Sequence, residues 1–443
     1  MPASDASGRS DGAATPDGGI LQSVNNQTND IREEVPLKKL LYVSALALLP
    51  LAIGVAQAQD QFIDPNTLRP SLDPNRKANG LAQTPQMGWN SWNKFGCNID
   101  EKTVRRMADT MATNGMRDAG YEYVVIDDCW HGERDANGFI TESREKFPSG
   151  MKALADYVHS RGLKFGIYSD AGTKTCGGKP GSLGHEYQDA LTYARWGVDY
   201  LKYDWCSTGT LNAESAYALM SDALKATGRP VLLAMCEWGN NRPWEWGKKI
   251  GNSWRTSSDI RDAWKGREKW SIGVVDIVDV NEPLYSHAGP GHWNDADMLE
   301  VGNGGMSDTE YRSHFSLWSM MVSPLIAGND ITNMSAATRD ILLNREVIAV
   351  NQDRLGQQGR RVRDDGDLEV WSKPLADGSR AVILFNRSEA PAEIAVDWPE
   401  IGLTRSVRAD VRDLWAHRSV GKITGRYAAP VPAHGVIMVK VTP

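Results

Sequence analysis

The chain has 443 residues, 41% of them hydrophobic and 24% charged, which is the composition of an ordinary globular protein with room for two domains or one large barrel with an appendage. A formal net charge of −7, with no Lys/Arg-rich run, argues against a nucleic-acid partner. The 16 tryptophans outnumber the 7 phenylalanines. Indole rings stack on sugars but also fill cores, and the count alone favours the core.

The N-terminal 58 residues are predicted to lie outside the fold. A polar leader precedes Lys38 and Lys39, an apolar run over residues 40–55 and a small-x-small site that ends at Ala58. This is the pattern of a secretory signal peptide cleaved near Ala58, and the apolar run is too short to span a membrane. We therefore expect a secreted or periplasmic protein with no membrane segment in its mature form. The leader is unusually long, and we hypothesise that translation starts near Val35. Residues 59–80 are predicted to be a short linker.

Export permits disulfides. The chain contains five cysteines, so at least one is free or intermolecular. None of them has the spacing of a zinc site, and no metal is expected. The cysteines are Cys97, Cys129, Cys176, Cys206 and Cys236.

Residues 81–354 alternate short apolar runs with helical patterns. Asp100 and Ser149 are predicted to cap two helices, and Gly197 to end a third over 187–196. Repeated strand, helix and glycine units indicate a parallel sheet, and eight units in this length predict an α/β fold, a (β/α)8 TIM barrel. The predicted strands are Pro85–Asn90, Tyr123–Ile126, Leu163–Tyr168, Val198–Tyr203, Val231–Met235, Asn252–Ser257, Ala288–Trp293 and Met320–Ile326.

Residues 355–443 have a different pattern. Leu368–Ser372 and Arg380–Phe385 alternate apolar and polar residues around a turn that ends at Gly378, which predicts a β-hairpin. Short β-rich runs continue to Val441. We predict a C-terminal antiparallel β-sandwich domain.

Polar side chains recur where the predicted barrel strands end, which is where such barrels build active sites. The alternative that they are ordinary loop acids must hold at each of five places. The residues are Asp127 with Asp128, Tyr168, Asp204, Glu237 and Asp259.

Lys202 lies two residues before Asp204, hence on the same strand face, and its charge is expected to keep Asp204 ionised. Taken singly, Asp204 is also compatible with a helix cap, and the pair Asp127 and Asp128 with a solvated turn or a metal site.

Seven segments resemble, in order, glycoside hydrolase family 27, the α-galactosidase or melibiase family. The resemblance runs from about Gln83 to the end of the chain, and the family's fold is a (β/α)8 barrel followed by an antiparallel β domain. The segments are Thr84–Trp92, Tyr123–Trp130, Gly166–Gly172, Tyr200–Cys206, Cys236–Gly239, Trp254–Asp259 and Trp293–Leu299.

The resemblance implies catalytic roles. It makes Asp204 the nucleophile and Asp259 the general acid/base, with Lys202 and Arg255 in contact with the sugar. A mechanism that retains anomeric configuration would place the two carboxyls about 5–5.5 Å apart, with a covalent intermediate on Asp204. Asp262 and Asp295 are interpreted as ordinary loop or capping acids.

The resemblance also implies specificity. Asp127 and Asp128 would hold the 6- and 4-hydroxyls, and an aspartate at 127 favours galactose over L-arabinopyranose. Glu237 favours a free 2-hydroxyl over an acetamide. Further sugar contacts would come from Trp89, Tyr168, Cys176, Trp238, Met298 and, as a weaker correspondence, Asp297.

By resemblance Cys97 pairs with Cys129 and Cys176 with Cys206, whereas Cys236 is predicted to be a buried free thiol. The implied function is a secreted exo-acting α-galactosidase on α-galactoside oligosaccharides or galactomannan side chains, without a cofactor. The alternatives are a sister specificity such as β-L-arabinopyranosidase, a non-catalytic sugar-binding barrel, or a lyase or aldolase that uses Lys202 as a Schiff-base amine. Oligomeric state is left open.

Overall fold

The structure is a computed structural model, and it describes residues 76–443. The predicted signal peptide and all but the end of the predicted linker lie outside the described residues. Within the described part of the chain, no helix has both the length and the apolar character needed to cross a membrane.

Eight parallel strands form the first sheet, and consecutive strands along the chain are neighbours in it. A parallel bridge between Leu299, just past β7, and Ala327 of β8 brings the two ends of the sheet together. The closed parallel sheet confirms the predicted (β/α)8 barrel. Its strands are β1 Met87–Asn90, β2 Tyr123–Ile126, β3 Lys164–Asp170, β4 Tyr200–Asp204, β5 Leu232–Cys236, β6 Ser253–Arg255, β7 Trp293–Asp295 and β8 Leu325–Ala327.

Local sequence explains these elements. All four residues of β2 are buried, as expected of a parallel strand covered on both faces. The Asp100 side chain accepts a hydrogen bond from the Thr103 N–H and caps the first long helix, as predicted. Gly197 ends its helix in the left-handed conformation at φ 86°.

Three predicted boundaries are wrong. Gly150, not Ser149, occupies the helix N-cap, while the Ser149 N–H donates to Glu101 Oε2 at 2.9 Å. The seventh strand begins at Trp293 rather than ending there. The apolar run from Met320 ends a helix before β8 begins at Leu325, because helix and buried strand cannot be told apart by apolar content over so few residues.

The helices surround the barrel or cover its ends. The longer ones are Glu101–Thr113, Met151–Ser160, Glu186–Trp196, Ala213–Ala226, Val274–Asn281, Asp308–Met320, Ala336–Leu342 and Arg345–Asn351. One-turn helices are Trp92–Phe95, Met116–Ala119, Pro243–Trp246, Gly247–Lys249, Glu282–Leu284 and Trp398–Ile401.

Two small sheets lie in the loops that follow barrel strands. His131–Arg134 pairs with Ile140–Glu142 after β2. After β6, three short strands form what we call the Asp259 sheet: Asp259–Ile260, Arg267–Glu268 and Ser271–Ile272.

Eight strands follow the barrel: β9 Arg360–Asp365, β10 Leu368–Pro374, β11 Arg380–Asn386, β12 Ala392–Asp397, β13 Arg408–Asp413, β14 Arg418–Thr424, β15 Arg426–Val431 and β16 Val436–Thr442. They form a six-stranded antiparallel sheet, ordered β9-β10-β11-β16-β13-β14, and a two-stranded sheet of β12 and β15. Val382 and Leu384 of β11 share a buried cluster with Val396 of β12, so the two sheets enclose a core and confirm the β-sandwich.

The central strands of the six-stranded sheet are buried on both faces. In β11, Ile383 and Phe385 belong to the core cluster of the barrel, whereas Val382 and Leu384 belong to that of the sandwich. This alternation is the period of two of an extended strand. The sandwich therefore packs against the barrel through the central strands of this sheet.

Candidate active site

A cleft of about 460 Å³ opens near the C-terminal ends of the barrel strands. Lys202 in the middle of β4 and Arg255 at the end of β6 line it together with Asp259 of the Asp259 sheet. Parallel strands bring their carboxyl ends to one face of the barrel, so residues that are far apart in sequence meet here.

Asp204 is the last residue of β4 and only 5% exposed. Its Oδ1 accepts a hydrogen bond of 3.0 Å from the Trp205 N–H. Burial raises the pKa of Asp204 to about 6, although the Lys202 cation lowers it. Lys202 therefore favours the ionised form, as expected, but burial is the larger effect.

The direct ion-pair partner of Lys202 is Asp127. Lys202 Nζ lies 2.9 Å from Asp127 Oδ2, which also accepts 2.7 Å from Asn90 Nδ2. Burial disfavours the Lys202 charge, but the Asp127 and Asp204 carboxylates outweigh it, so the pKa of Lys202 lies well above its usual value. The Lys202 cation therefore interacts with two carboxylates: Asp127, directly after β2, and Asp204, the candidate nucleophile at the end of β4.

Asp128 fixes two loops at the rim. Its Oδ1 accepts from the Cys129 N–H and its Oδ2 from the Gly177 N–H, both at 2.6 Å. Burial raises the pKa of this carboxyl. The structure contains both implied disulfides at this rim, Cys97–Cys129 and Cys176–Cys206. Cys176 itself is exposed.

Glu237 follows β5 and is fully buried. Its Oε2 accepts hydrogen bonds from the Asn241 N–H at 2.6 Å and from Asn241 Nδ2 at 2.7 Å. Burial raises the pKa of Glu237 to about 7 against the effect of these donors. Trp238, the next residue, is half-buried with a positive φ of 58°, so the chain turns sharply at this point.

Arg255 connects the candidate acid/base to the barrel. Its Nη2 lies 3.1 Å from Asp259 Oδ1 and 2.7 Å from Asp297 Oδ2. The Arg255 side chain is 4% exposed, whereas that of Asp259 is 47% exposed. Asp259 is therefore held from beneath by a buried cation and faces the open cleft.

Asp297 has a structural part in this arrangement. Besides the ion pair with Arg255, its Oδ2 accepts 2.7 Å from the Ile260 N–H, directly after Asp259. The predicted sugar contact of Asp297 stays a prediction, while its observed contacts make it a support for Asp259. Met298, its neighbour, is buried and lines the cleft.

Three buried polar atoms near the candidate carboxylates have no hydrogen-bond partner among the described residues. They are the hydroxyl of Tyr168, Oε1 of Glu237 and Nε of Arg255. A buried polar group left without a partner costs about 1–3 kcal/mol. The first two can each engage a hydroxyl of a bound molecule.

Asp170 was not among the predicted site residues. It ends β3, opposite Asp204 in the parallel ladder, and is fully buried. Its two oxygens accept the Gly172 N–H at 2.7 Å and the Cys206 N–H at 2.8 Å. Burial and the Asp204 charge raise the pKa of Asp170 to about 8. Asp170 lies two residues after Tyr168 and therefore on the same strand face, which is the sequence feature from which its place in the site could have been predicted.

Asp170 holds a tight junction of two loops. A Cβ on Gly172 would lie 2.0 Å from the Cys206 carbonyl oxygen, so only glycine fits there. The segment that follows Asp204 is thereby fixed against the end of β3.

The sequence also missed a cluster beside Asp259. Glu300 accepts hydrogen bonds from Asn93 Nδ2 at 2.5 Å and Asn303 Nδ2 at 2.6 Å, and all three side chains line the cleft. Burial raises the pKa of Glu300 to about 7. None of the three stands directly after a predicted strand, which is why the pattern of strand ends did not find them.

The two acids interpreted as ordinary differ. Asp262 fits that interpretation, because it accepts from the Gly305 N–H and the Tyr311 hydroxyl in the loops. Asp295 ends β7, where its Oδ1 accepts from the Asp297 N–H at 2.8 Å, and burial raises its pKa to about 6 although Arg255 lowers it.

Two further residues are deeply buried: Trp89, a predicted sugar contact, and Cys236, whose prediction as a buried free thiol is confirmed. Trp89 is fully buried in β1, and its indole N–H donates to the Asn329 carbonyl at 2.8 Å. Its contact with a sugar stays a prediction. Cys236 is buried without a disulfide, and its Sγ lies 3.7 Å from Arg255 Nη1.

The two carboxyls, Asp204 and Asp259, suit a reaction in which one carboxylate acts as a nucleophile and the other carboxyl transfers a proton. Asp204 is enclosed between the cation of Lys202 and the end of β3, while Asp259 stands partly in solvent on the separate Asp259 sheet. Among the described residues, the one cluster with three metal-type ligands is Asp170, Cys176 and Cys206, and its two sulfurs are joined in a disulfide. That cluster therefore offers no thiolate to a metal.

Comparison with known proteins agrees with this geometry. Residues 84–353 match the family described as Alpha galactosidase A, and residues 365–441 match the Alpha galactosidase C-terminal beta sandwich domain. Alpha-galactosidase A of Cellvibrio japonicus is 54% identical over 383 residues, 83% of this chain and 94% of that protein.

Solved structures show the same. α-Galactosidase I from Mortierella vinacea has a TM-score of 0.80 and 43% identity, covering 82% of this chain and 98% of its own. The α-galactosidase of Saccharomyces cerevisiae, solved with raffinose, has a TM-score of 0.79 and 33% identity, covering 84% and 100%. With the barrel, the sandwich and the paired carboxylates in place, this chain belongs to the α-galactosidase family of glycoside hydrolases.

Proposed function

We propose that the protein is an exported, retaining exo-α-galactosidase that releases terminal α-D-galactose from oligosaccharides or galactomannan side chains. One observation carries the mechanism: a buried carboxylate, Asp204, lies beside the Lys202 cation, and a second, Asp259, is held by Arg255 in the cleft that Lys202 also lines. The named relatives, and the raffinose bound by one of them, support the substrate class.

The reaction has two steps. The Asp204 carboxylate attacks C1 of galactose while Asp259 gives its proton to the leaving oxygen, so the C1–O bond breaks as a glycosyl ester forms. Water then gives a proton to Asp259 and attacks C1, which frees Asp204 and yields galactose with its original configuration.

The two carboxyls lie in different environments. Burial raises the pKa of Asp204 to about 6, and the Lys202 cation partly offsets this effect. The Asp259 side chain is instead 47% exposed, with Arg255 Nη2 3.1 Å from its Oδ1.

The 6-hydroxyl is proposed to meet Asp127, which Lys202 and Asn90 hold in place. The 2-hydroxyl is proposed to meet the unpartnered Oε1 of Glu237. The β-L-arabinopyranosidase alternative is not favoured, since the relatives at 43–54% identity described above are named α-galactosidases. An aspartate at position 127 supports the same choice, because its carboxylate offers an acceptor to a 6-hydroxyl.

Three experiments test the proposal. A fluorinated galactosyl inactivator, followed by peptide mass mapping, should label Asp204. Proton NMR during hydrolysis of p-nitrophenyl α-galactoside should show α-galactose as the first product. Rates on the matching β-L-arabinopyranoside should be lower. First-formed β-galactose, or a label on another carboxylate, would refute the retaining mechanism.

A further inference from the structure

Trp270 is the most exposed large hydrophobic side chain among the described residues, at 84%. It stands in the two-residue turn between Arg267–Glu268 and Ser271–Ile272 of the Asp259 sheet. Single exposed hydrophobic residues are common on protein surfaces, so exposure alone assigns no role. The role of Trp270 is inferred instead from its position relative to Asp259.

The turn is attached directly to the strand of the candidate acid/base. Ser271 lies opposite Asp259 in a parallel pair. Neighbouring strands lie about 4.8 Å apart and consecutive Cα atoms 3.8 Å, so the Cα atoms of Trp270 and Asp259 are within about 9 Å of each other. The backbone of Trp270 is therefore one residue away from the position that pairs with the acid/base, and its exposed indole is attached there.

The turn is also held firmly at its base. Arg261, which lines the cleft, forms an ion pair with Glu268 at 2.9 Å. The Gly273 N–H donates to the Gly266 carbonyl at 2.9 Å, and a Cβ on Gly273 would lie 2.5 Å from Lys265 Cα. Trp270 is thus presented on an anchored hairpin.

The segment that contains Trp270 also contains a buried tryptophan, so it contacts a hydrophobic core elsewhere. Trp264, six residues earlier, is 8% exposed and stacks on His434 of the sandwich at 4.9 Å between ring centroids. The same segment therefore buries one indole and exposes the other.

The exposure of the two carboxylates shows which side of the cleft is open. Asp204 is 5% exposed, whereas the Asp259 side chain is 47% exposed. The acid gives its proton to the leaving oxygen, so the leaving group lies on the Asp259 side. That is the side on which Trp270 stands.

From this placement we propose that Trp270 forms a subsite for the leaving group, where its indole face stacks on the pyranose ring attached to the cleaved galactose. The inference rests on the proposed α-galactosidase function and adds the part of the substrate beyond galactose. Trp270 is a substrate-binding residue here and takes no part in proton transfer. It selects oligosaccharides over galactosides with small leaving groups.

The test compares two substrates across Trp270→Ala, Trp270→Phe and the control Tyr285→Ala, whose exposed ring follows a helix that leads to the start of β7, away from the cleft. Raffinose has a sugar as leaving group, whereas α-galactosyl fluoride has a single atom. Trp270→Ala should raise KM for raffinose about 3- to 10-fold, the range of one lost stacking contact, with kcat within about 2-fold. Trp270→Phe should recover part of this loss.

Kinetics on α-galactosyl fluoride should be unchanged in all three variants. Equal effects on both substrates, no effect on either, or an equal KM rise in Tyr285→Ala would overturn the subsite. So would a change of mass in solution caused by Trp270→Ala with both KM values intact, since that would make Trp270 an oligomer contact. Failure of the wild type to hydrolyse either substrate would instead refute the proposed function.

Discussion

Lys202 Nζ pairs with Asp127 Oδ2 at 2.9 Å, so the cation that supports the candidate nucleophile is itself held by a residue proposed to bind the sugar. Substrate recognition and nucleophile ionisation therefore share one lysine. A change at Lys202 should affect both.

We predict that Lys202→Met shifts the acidic limb of the kcat/KM profile upward by about one pH unit. The Lys202 cation lowers the pKa of Asp204, which burial has raised to about 6, so removing it raises that pKa further. Asp204 must be ionised to attack, and kcat/KM reports the free enzyme. Activity at pH 5 should fall more than at pH 7. Lys94→Met, which removes an exposed cation from the same cleft, is the control and should leave the limb in place.

Asp259→Asn should lose more activity on substrates with a poor leaving group than on substrates with a good one. General acid catalysis contributes about 10²–10⁴-fold, and a poor leaving group needs the proton most. We expect a loss in that range on raffinose and a smaller one on α-galactosyl fluoride during the first step. Asp262→Asn changes a neighbouring carboxyl in the cleft and should cost less than about 3-fold on both. An equal loss on both substrates in Asp259→Asn would argue against the acid role.

Glu237→Gln should make the stability of the fold less dependent on pH between about 4.5 and 7. Burial raises the pKa of Glu237 from 4.5 to about 7, so between these values the folded state binds a proton that the unfolded state has lost. Stability from this group is full below pH 4.5, falls as pH rises through this range, and is lost above about 7. Each pKa unit is about 1.4 kcal/mol, which makes the loss on the order of 3 kcal/mol.

Glutamine keeps the acceptor for Asn241 and has no charge to bury. The difference in Tm between Glu237→Gln and wild type should therefore move in favour of the variant from pH 5 to pH 8, measured by calorimetry. Glu393→Gln, at an exposed position, controls for the loss of one acidic group. A difference that is independent of pH would contradict the expected burial effect.

Cys236 should be unreactive in the native enzyme. It is 2% exposed, and burial raises its pKa well above the usual value, so little thiolate forms at neutral pH. A thiol reagent without reductant should label nothing in the folded protein and one cysteine per chain in denaturant. Labelling of the native state, or a bridge to Cys236 in non-reducing mass mapping, would contradict this.

Much of the fold could be predicted from local patterns. β2 is four buried residues in a row, and Asp100 and Gly197 end their helices as their chemistry requires. The end of the barrel was harder to predict, because the run from Met320 is apolar through both a helix end and β8.

The candidate site was predictable in composition but not in pairing. Residues at strand ends were found because parallel strands bring them together, and Asp170 was missed although it fits that rule. Partners across strands are not visible in one sequence. The pairing of Lys202 with Asp127, and of Arg255 with Asp297, depends on the closed barrel.

The order of the six-stranded sheet has a consequence for how the chain matures. β16 lies between β11 and β13, yet it follows both of them in the chain. During synthesis the two halves of that sheet can be joined only after β16 has left the ribosome. Because the central strands of the same sheet pack on the barrel, chaperone demand and sensitivity to proteolysis should persist until that moment, and a nascent chain stalled before Val436 should be degraded.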